Sequence, residues 1–286
     1  MNTIGEAVDA YKKALTGIYE PNEIEALTLL ILSLLTGSTK AQLKAFPERS
    51  LMAGQADSMQ NILTRLQTGE PIQYILGQTE FYGLPFNVNP SVLIPRPETE
   101  ELVEWVLDTE DNLPFIVDNI LDIGTGSGCI AVSLKKELPG VTVSAIDVSS
   151  GAIQTARENA ALNHVQVNFI QDDILHPSQE TEFLKFDIIV SNPPYVTLQD
   201  KTKMHRNVTD FEPHSALFVP ENDPLIFYKA IADFALKTLN HGGVLFFEIN
   251  ESLGVETVEM LKNKGFKNIE MRKDMSGRDR MIRTRI

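Results

Sequence analysis

The sequence predicts a mostly parallel α/β sheet that follows a small helical domain. Over residues 1–68, apolar residues recur at helical spacing and strand signals are almost absent. Beyond residue 118, short apolar segments of strand length alternate with amphipathic helical segments, which is the pattern of a parallel sheet flanked by helices. The last two strand-like segments have no helix between them, so they should pair antiparallel.

The predicted helical domain covers residues 1–75. The first helix is predicted from residues that recur at helical spacing: Ile4, Ala7, Val8, Tyr11 and Leu15. The second is capped by Asn22, runs to Leu35 and stops at Gly37, and a short third is capped by Ser38 or Thr39 and ends before Pro47. The fourth runs from Ser50 to Thr68 and stops at Gly69. The caps are short polar side chains that can satisfy free backbone N–H groups, and the stops are residues that do not continue a helix.

Residues 76–95 are predicted to form a hairpin that links this domain to the next. Two short aromatic segments flank Gly83-Leu84-Pro85, which is typical of two strands and a turn. Pro97 then opens a helix, because proline suits a first helical turn and the acidic residues that follow it suit the positive helix end.

The second domain is predicted over residues 96–286, as a sheet of seven strands. Its strands lie in the segments NILDIG, VTVSAID, QVNFI, FDIIVSN and GVLFFEI, near Ile269, and over Met281–Arg285. Its further helices are Gly128–Leu138, Ser150–Asn163, Asp223–Leu239 and Ser252–Lys264. The long segment Val196–Asn222 has few helix or strand signals, so we expect a loop that moves or orders on substrate binding. Ligands of such sheets bind at the carboxyl ends of the strands, where strand order reverses.

Composition narrows the class of protein. The net charge of −14 argues against a nucleic-acid partner, which clustered Lys and Arg normally bind. The single cysteine, Cys129, excludes an intramolecular disulfide framework and fits a reducing compartment. No basic segment followed by an apolar one opens the chain, so we expect no signal peptide and a cytoplasmic location. The histidines have no metal-ligand spacing, and no metal site is predicted.

Three glycines stand between a predicted strand and a predicted helix in LDIGTGSGCIAVSL. At Gly124, Gly126 and Gly128 the backbone can turn sharply and a ligand can approach it closely. The N-terminus of the following helix offers free N–H groups to an anion. A single glycine would suit a tight turn, whereas three glycines so close together indicate a binding loop.

The glycine spacing distinguishes between two ligands. The dinucleotide fingerprint G-x-G-x-x-G would need a glycine at Cys129. The loop instead suits the methionine moiety of S-adenosylmethionine, with Asp122 placed to bind its ammonium group directly or through water. Asp147 ends the next strand and can accept both ribose hydroxyls, a role common to both ligands. The alternative for Asp147 is a charge at the start of the helix beside Ser149.

The third strand of the sheet ends in FIQDDIL. An acid at this place can accept from the adenine amine, and an apolar neighbour can pack on the ring. Asp173 and Ile174 are the candidates, and Asp172 is a close rival because the register of the strand is open.

The fourth strand ends on Asn192-Pro193-Pro194-Tyr195, at the same edge as the glycine loop. Prolines cannot donate to a sheet, so the strand must stop there. An amide or aromatic-amine nitrogen is a poor nucleophile because its lone pair is delocalised, and acceptors must hold it. Asn192 can accept one N–H through its side-chain oxygen, and Pro193 can accept the other through a carbonyl that Pro194 restricts to an extended direction. Tyr195 offers a flat face to a planar group or a sulfonium charge. These features predict methylation of a planar nitrogen by positioning, without a strong general base.

The glycine loop, the acid and Asn-Pro-Pro-Tyr resemble class I methyltransferases that act on a nitrogen in a planar system, such as DNA adenine N6-methyltransferases. Longer segments are more specific: GEPIQYILGQTEFYG from Gly69, VLIPRPETEELVEWV over Val92–Val106, DFEPHSALF and GRDR. With DIGTGSG and VSNPPY, they resemble the PrmC (HemK) family, the protein-(glutamine-N5) methyltransferases of peptide-chain release factors. The resemblance covers Gly69 onward in motifs and the helical domain in layout.

This resemblance implies methyl transfer from S-adenosyl-L-methionine, with S-adenosyl-L-homocysteine as product, to the glutamine of the Gly-Gly-Gln tip of bacterial class I release factors. It implies a Rossmann-like methyltransferase domain and a helical domain that helps grip the release factor, and we expect a monomer. The cofactor residues are then Asp122, Gly124, Thr125, Gly126, Ser127, Gly128, Asp147, Asp173, Ile174 and Asn192. The catalytic residues are Asn192, Pro193 and Tyr195, and Pro194 joins them in binding the substrate.

Some alternatives stay open. A nucleic-acid adenine N6-methyltransferase shares the Asn-Pro-Pro-Tyr site but needs a basic cleft for a flipped base. A cofactor-binding regulator of translation without catalysis is a further alternative. The family usually carries a glycine and a glutamine after the acid of the FFEI strand, whereas INESLG follows Glu248 here. Arg96 and Glu100 form either an ion pair at the helix start or part of the cofactor pocket.

Overall fold

The computed structural model describes residues 1–202 and 204–286. The chain divides into two compact units. The first unit comprises Met1–Leu76 together with Arg206–Phe211, and the second comprises Gly77–His205 and Glu212–Ile286.

The first unit is built of helices. They are α1 (Ile4–Leu15), α2 (Pro21–Thr36), α3 (Lys40–Ala45), α4 (Ala53–Gln67), α5 (Ile72–Leu76) and, in chain order, α11 (Arg206–Phe211). Ile4, Ala7, Tyr11 and Leu15 form the buried stripe of α1 and lie in the core of this unit. The Tyr11 hydroxyl donates to the Met59 carbonyl at 2.8 Å, which satisfies its polar atom inside the core.

The four predicted helices of this unit are confirmed, with differences at their starts. Helix α2 begins at Pro21, so the prediction that Asn22 caps it is wrong; the fixed φ of proline starts the helix one residue earlier. Helix α4 begins at Ala53 instead of Ser50, because Ser50 pairs with Thr3 in an isolated bridge. Thr39 is the cap of α3, with its hydroxyl accepting from the Gln42 N–H.

The second unit opens with the predicted hairpin, formed by β1 (Gln78–Phe81) and β2 (Leu84–Asn87). Its turn consists of Tyr82 and Gly83, at φ 50° and 70°, as a tight hairpin turn with two left-handed residues requires. Leu84 and Pro85 therefore belong to the second strand and not to the turn.

Seven strands form the central sheet, in the order β5-β4-β3-β6-β7-β9-β8. They are β3 (Asn119–Ile123), β4 (Thr142–Asp147), β5 (Asn168–Gln171), β6 (Phe186–Ser191), β7 (Leu239–Glu248), β8 (Lys267–Lys273) and β9 (Asp279–Arg285). Strand β9 pairs antiparallel with β7 and β8, and the other neighbours are parallel. The predicted seven-stranded, mostly parallel sheet with an antiparallel C-terminal strand is thus confirmed.

Helices cover both faces of this sheet. They are α6 (Pro97–Glu110), α7 (Cys129–Glu137), α8 (Ser150–Leu162), α12 (Ile226–Thr238) and α13 (Gly254–Asn263). Alternate strand residues such as Val190 and Phe246 share a core with α6 and α7, whereas Ile189 and Phe247 share one with α12 and α13. None of the helices in the described part of the chain is both long and apolar enough to cross a membrane.

The segment predicted as an irregular loop contains short helices. Within 196–222 lie α10 (Leu198–Lys201), α11 and a 3₁₀ turn at His214–Ala216, and a four-residue helix α9 (Gln179–Glu182) precedes it. Helices this short have too few apolar residues to leave a periodic signal in the sequence.

Strand order reverses between β3 and β6. From β3 the chain continues to β4 and β5 on one side, and it then returns to place β6 on the other side. The carboxyl ends of β3, β4 and β6 therefore face one crevice, which is where such sheets bind ligands.

Candidate active site

Two cavities meet at the carboxyl edge of the sheet. The first, of about 400 Å³, is lined by eight predicted site residues: Gly124, Gly126, Asp147, Asp173, Ile174, Asn192, Pro193 and Pro194. The second, of about 430 Å³, is lined by Arg96, Tyr195, Asp200 and Asn250, among others. Asn192 and Pro193 line both cavities, so they stand where a ligand in one cavity would face a ligand in the other.

The glycine loop forms one wall of the first cavity. Gly124, Gly126 and Gly128 all have positive φ, at 75°, 56° and 82°, a conformation that glycine adopts without strain. Gly124 and Gly126 line the cavity, whereas Gly128 lies behind the loop at the start of α7. Ser127 is also buried behind the loop, where its carbonyl accepts from the Asn159 side chain at 2.8 Å.

Asp122 lies beneath this loop and is fully buried. The Thr125 hydroxyl donates to its Oδ2 at 2.6 Å, while Oδ1 has no hydrogen-bond partner among the described residues. Burial raises the pKa of Asp122 to about 7, against the lowering effect of the Thr125 hydroxyl. A buried acceptor without a donor is costly, which indicates a group that a ligand or water satisfies.

Asp147 ends β4 and lines the first cavity. Its Oδ2 accepts from the Gly126 N–H and its Oδ1 from the Ser149 N–H, both at 2.9 Å. Burial raises its pKa, and these backbone N–H groups act in the opposite direction. The carboxylate of this cavity-lining residue thus ties the glycine loop to the start of α8.

The two adjacent acids after β5 have different environments. Asp172 accepts from the Ser178 hydroxyl at 2.9 Å and the Thr181 hydroxyl at 2.5 Å, so its carboxylate is occupied at the start of α9. Burial raises the pKa of Asp172, but the hydrogen bonds from Thr181 and Ser178 outweigh it and leave the pKa below its ordinary value. Asp173 Oδ1 accepts from the Leu175 N–H, its Oδ2 lies 3.2 Å from His176 Nδ1, and its side chain is 42% exposed. Both acids line the first cavity, and Asp173, which has fewer donors than Asp172, is the better candidate for binding a ligand.

Asn192 is held by a chain of buried polar groups. Its Nδ2 donates to Thr99 Oγ1 at 3.1 Å, and the Thr99 hydroxyl donates to Glu248 Oε2 at 2.6 Å. The Tyr195 hydroxyl donates to the other oxygen, Glu248 Oε1, at 3.1 Å. One carboxylate therefore anchors both ends of the Asn-Pro-Pro-Tyr segment.

Tyr195 lies in the wall of the second cavity and not of the first. Its ring packs against the core that α12 and α13 share with the sheet, and its carbonyl accepts from Asn250 Nδ2 at 3.1 Å. Burial raises the pKa of Tyr195 well above its ordinary value, and the nearby Glu248 charge adds to this effect. The phenol is therefore a fixed hydrogen-bond donor.

Arg96 and Glu100 do not pair with each other. Arg96 donates to Glu212 Oε1 at 2.6 Å, and Glu212 Oε2 accepts from the Ile94 N–H at 3.0 Å. Glu100 accepts from the Tyr82 N–H at 2.9 Å. The ion pair predicted as one interpretation is thus wrong, because each side chain has a partner distant in sequence. Glu212 is buried and ties the DFEPH segment to the IPRPE segment.

Three side chains of the site were not predicted from the sequence: Thr99, Glu212 and Asn250. Thr99 and Glu212 lie inside the quoted segments IPRPETE and DFEPH, so the motifs contained them without showing their partners. Asn250 stands in the INESLG segment, where its Oδ1 accepts from the Ser252 N–H and its Nδ2 reaches Tyr195. No group of three or more His, Cys, Asp or Glu side chains within 1–202 and 204–286 is arranged to hold a metal ion.

Comparisons with known proteins show the family of the chain. Residues 6–77 match the PrmC N-terminal domain, and residues 102–210 match the methyltransferase small domain. A release factor glutamine methyltransferase of Flavobacterium psychrophilum is 47% identical over 96% of this chain and 95% of its own length. Another, of Bacteroides thetaiotaomicron, is 42% identical over 96% of this chain and 98% of its own length.

A solved structure supports the fold. The 16S rRNA N2 G1207 methyltransferase of Thermus thermophilus, in complex with AdoMet and guanosine, has a TM-score of 0.53 and 19% identity, over 73% of this chain and 49% of its own. Fold and site together define a Rossmann-like methyltransferase, an enzyme of the transferase class. The chain belongs to the family of release factor glutamine methyltransferases.

Proposed function

We propose that this enzyme transfers a methyl group from S-adenosyl-L-methionine to the side-chain amide nitrogen, N5, of the glutamine in the Gly-Gly-Gln motif of bacterial class I release factors. The observation that carries the proposal is the placement of Asn192 and Pro193 at the junction of two cavities. One cavity suits a nucleoside-bearing cofactor, and the other opens toward a second substrate. Family membership supports the identity of that substrate.

The first cavity fits the cofactor chemically. Glycine Cα atoms without side chains line it at Gly124 and Gly126, where a ligand backbone can approach closely. Asp147 suits the ribose hydroxyls, and Asp173 with Ile174 suits the adenine. Asp122 is buried and does not line this cavity, and its unpartnered Oδ1 suits the ammonium group directly or through water. When bound there, S-adenosyl-L-methionine supplies an electrophilic methyl group on a sulfonium and leaves as S-adenosyl-L-homocysteine.

The residues of the chain act on the glutamine by holding it. Asn192 Oδ1 and the Pro193 carbonyl accept the two N–H groups of its amide, which fixes the nitrogen and turns its electron density toward the cofactor cavity. Pro194 restricts the direction of the Pro193 carbonyl, and Tyr195, fixed by Glu248, bounds the second cavity. The amide nitrogen becomes acidic as it gains the methyl group and releases its proton to solvent, so positioning supplies the catalysis.

The domain roles form part of the same proposal. Residues 1–75 act as a substrate-recognition domain, residues 76–95 as a hairpin linker and residues 96–286 as the methyltransferase domain. The match of residues 6–77 to the PrmC N-terminal domain supports the first of these assignments. We also propose that the protein is a monomer in the cytoplasm and has no nucleic-acid partner. The net charge of −14 supports the absence of a nucleic-acid partner.

A transfer assay tests the function. The protein is incubated with methyl-labelled S-adenosylmethionine and, in separate tubes, an unmodified release factor, the same factor with glutamate in place of the motif glutamine, and unmethylated duplex DNA. We expect label in the first tube alone, and mass spectrometry of a digest should locate it on the motif glutamine. Label on adenine would instead identify a nucleic-acid methyltransferase. No label in any tube, with the cofactor bound, would favour a regulator without catalysis.

A matched pair of variants links this activity to the site. Asn192→Ala should lower the rate of transfer at least about a hundredfold, because it removes an acceptor aimed at the reacting group. Asn240→Ala is the control, since Asn240 binds Asp187 at the start of β7, away from the carboxyl edge of the sheet. Equal rates for the two variants would contradict the proposed role of Asn192.

A further inference from the structure

The polar chain behind Asn192 has a defined direction of proton donation. Glu248 ends β7 and is 1% exposed, and hydroxyl groups approach its two oxygens, Thr99 at Oε2 and Tyr195 at Oε1. An ionised carboxylate has no proton to give, so both hydroxyls must donate to it. Burial raises the pKa of Glu248 above its ordinary value, and the Thr99 hydroxyl, the Arg280 charge and the Tyr195 hydroxyl, which favour the carboxylate, limit this rise.

This direction determines what Asn192 can do. A threonine hydroxyl has one proton, and Thr99 donates it to Glu248, so its oxygen can only accept from Asn192. The end of the Asn192 amide that faces Thr99 must therefore be the NH₂ group. The carbonyl oxygen, Oδ1, is then turned away from Thr99. The orientation of the amide follows from this proton count, independently of how similar its two ends are in shape.

We infer that Thr99 is a positioning residue that fixes which end of the Asn192 amide faces the substrate. This inference rests on the proposed function and deepens it. With Oδ1 presented, Asn192 and the Pro193 carbonyl form a pair of acceptors, which suits an NH₂ group with two N–H bonds. A carboxylate offers no proton to either acceptor and is repelled, so the same orientation selects glutamine over glutamate.

Thr99 has no direct role in the reaction, since it acts through Asn192. It lies in the first turn of α6, where it is 3% exposed, and its bond to Glu248 also ties this helix to β7. If the role of Thr99 is purely structural, it consists only of this hydrogen bond between α6 and β7. Such a role predicts lower stability on loss of the hydroxyl, with no change in the rate of transfer by the folded enzyme.

Hydroxyl deletion separates these roles. Thr99→Val keeps the shape and removes the hydroxyl, Thr99→Ser keeps the hydroxyl, and Thr99→Cys replaces it with a weak donor. Thr238→Val is the matched control, because the Thr238 hydroxyl is also buried and donates only within its own helix, to the Phe234 carbonyl. Thermal unfolding and calorimetric titration with S-adenosylhomocysteine establish that each variant folds and binds the cofactor.

A first readout needs neither substrate nor turnover. Hydrogen exchange of the Asn192 side-chain NH₂, observed by ¹⁵N NMR and assigned with Asn192→Asp, should show one protected proton in the wild type, in Thr99→Ser and in Thr238→Val. We expect that protection to be lost in Thr99→Val. A protected proton that persists in Thr99→Val would overturn the inference, because Asn192 would then have another partner.

The second readout is the rate of transfer to the release factor. We expect Thr99→Val to lower kcat about 10- to 100-fold with the cofactor Kd within about twofold, Thr99→Ser to stay within about threefold of the wild type, and Thr99→Cys to fall between them. If Thr99→Val is less stable but keeps its kcat, the role is structural and the inference is overturned. If the wild type itself does not methylate glutamine, the proposed function fails, while the exchange experiment still tests the orientation of Asn192.

Discussion

Alanine substitution at Gly126 and at Gly128, two glycines of the same loop, should have different effects. At Gly128 the added carbon would lie 3.0 Å from Ala156 Cβ and 3.2 Å from Ala156 Cα, because α7 and α8 approach each other there. At Gly126 it would meet no atom of the described residues within 4 Å, and Gly126 lines the first cavity. Gly128→Ala should therefore damage the fold, and Gly126→Ala the cofactor site.

The sizes of the two effects follow from geometry. Both glycines have positive φ, at 82° and 56°, so alanine at either position costs about 1–2 kcal/mol of backbone strain. Gly128→Ala adds an overpacking cost of about 1–3 kcal/mol against Ala156, for a total of roughly 2–5 kcal/mol. Gly126→Ala adds no such cost, but its methyl group occupies space that the ligand backbone needs. We expect its cofactor Kd to rise at least about tenfold, or about 1.4 kcal/mol.

Thermal unfolding measures the loss of stability, and calorimetric titration measures the cofactor Kd. The stability of Gly128→Ala should fall further than that of Gly126→Ala, by about 2–4 °C in Tm for each additional kcal/mol. The cofactor Kd of Gly126→Ala should rise more than that of folded Gly128→Ala. Equal losses of stability, with an unchanged Kd for Gly126→Ala, would refute the assignment of the loop to cofactor binding.

Three further predictions concern the acids around the site. Affinity for S-adenosylmethionine should fall about tenfold from pH 8 to pH 6. In the proposed function the Asp122 charge holds the ammonium, and this charge is present above the raised Asp122 pKa of about 7 and lost below it. Asp122→Asn should remove this dependence in calorimetry. Because burial raises the pKa of Asp122 from 3.8 to about 7, the unfolded chain ionises at lower pH than the folded protein. The free protein should therefore lose stability between about pH 4 and pH 7, relative to Asp122→Asn. Asp173→Ala should weaken cofactor binding about tenfold, whereas Asp172→Ala should lower Tm and leave Kd within about twofold, since Asp172 holds α9. Arg96→Met should cost about 2–4 kcal/mol in urea unfolding, because the buried Glu212 keeps only the Ile94 N–H, and a loss below about 0.5 kcal/mol would contradict this.

The glycine loop was predictable because its signal is local. Gly124, Gly126 and Gly128 each need a positive φ, and few residue types other than glycine accept one, so the backbone conformation is visible in the residue types. The choice between Asp172 and Asp173 was not predictable in the same way. It depends on α9, a four-residue helix whose Ser178 and Thr181 occupy Asp172. Nothing local to the two acids distinguishes them.

The contacts of Asn192 are less predictable from the sequence than the glycine loop and more predictable than the choice between Asp172 and Asp173. They join residues 93 and 149 positions apart, so no local pattern contains them. The alternation of side chains along β6 and β7 nevertheless predicts that Asn192 and Glu248 lie on the same face of the sheet. Val190 of β6 pairs with Phe246 of β7, and both lie in the core that α6 covers. Side chains alternate along a strand, so the residues two positions on, Asn192 and Glu248, lie on that same face.

Register therefore accounts for the partner of the amide. A parallel pair in register at Val190 and Phe246 places the last acid of β7 beside the amide that follows β6, on the face where the first turn of α6 carries Thr99. The acid is buried there, and a buried carboxylate is stable only when donors satisfy it. The donors within reach are hydroxyl groups, and each one that donates to Glu248 leaves only an acceptor for its other neighbour. The need to satisfy one buried charge thus turns the Asn192 oxygen away from Thr99, and the orientation of the Asn192 amide is a consequence of the packing of the sheet.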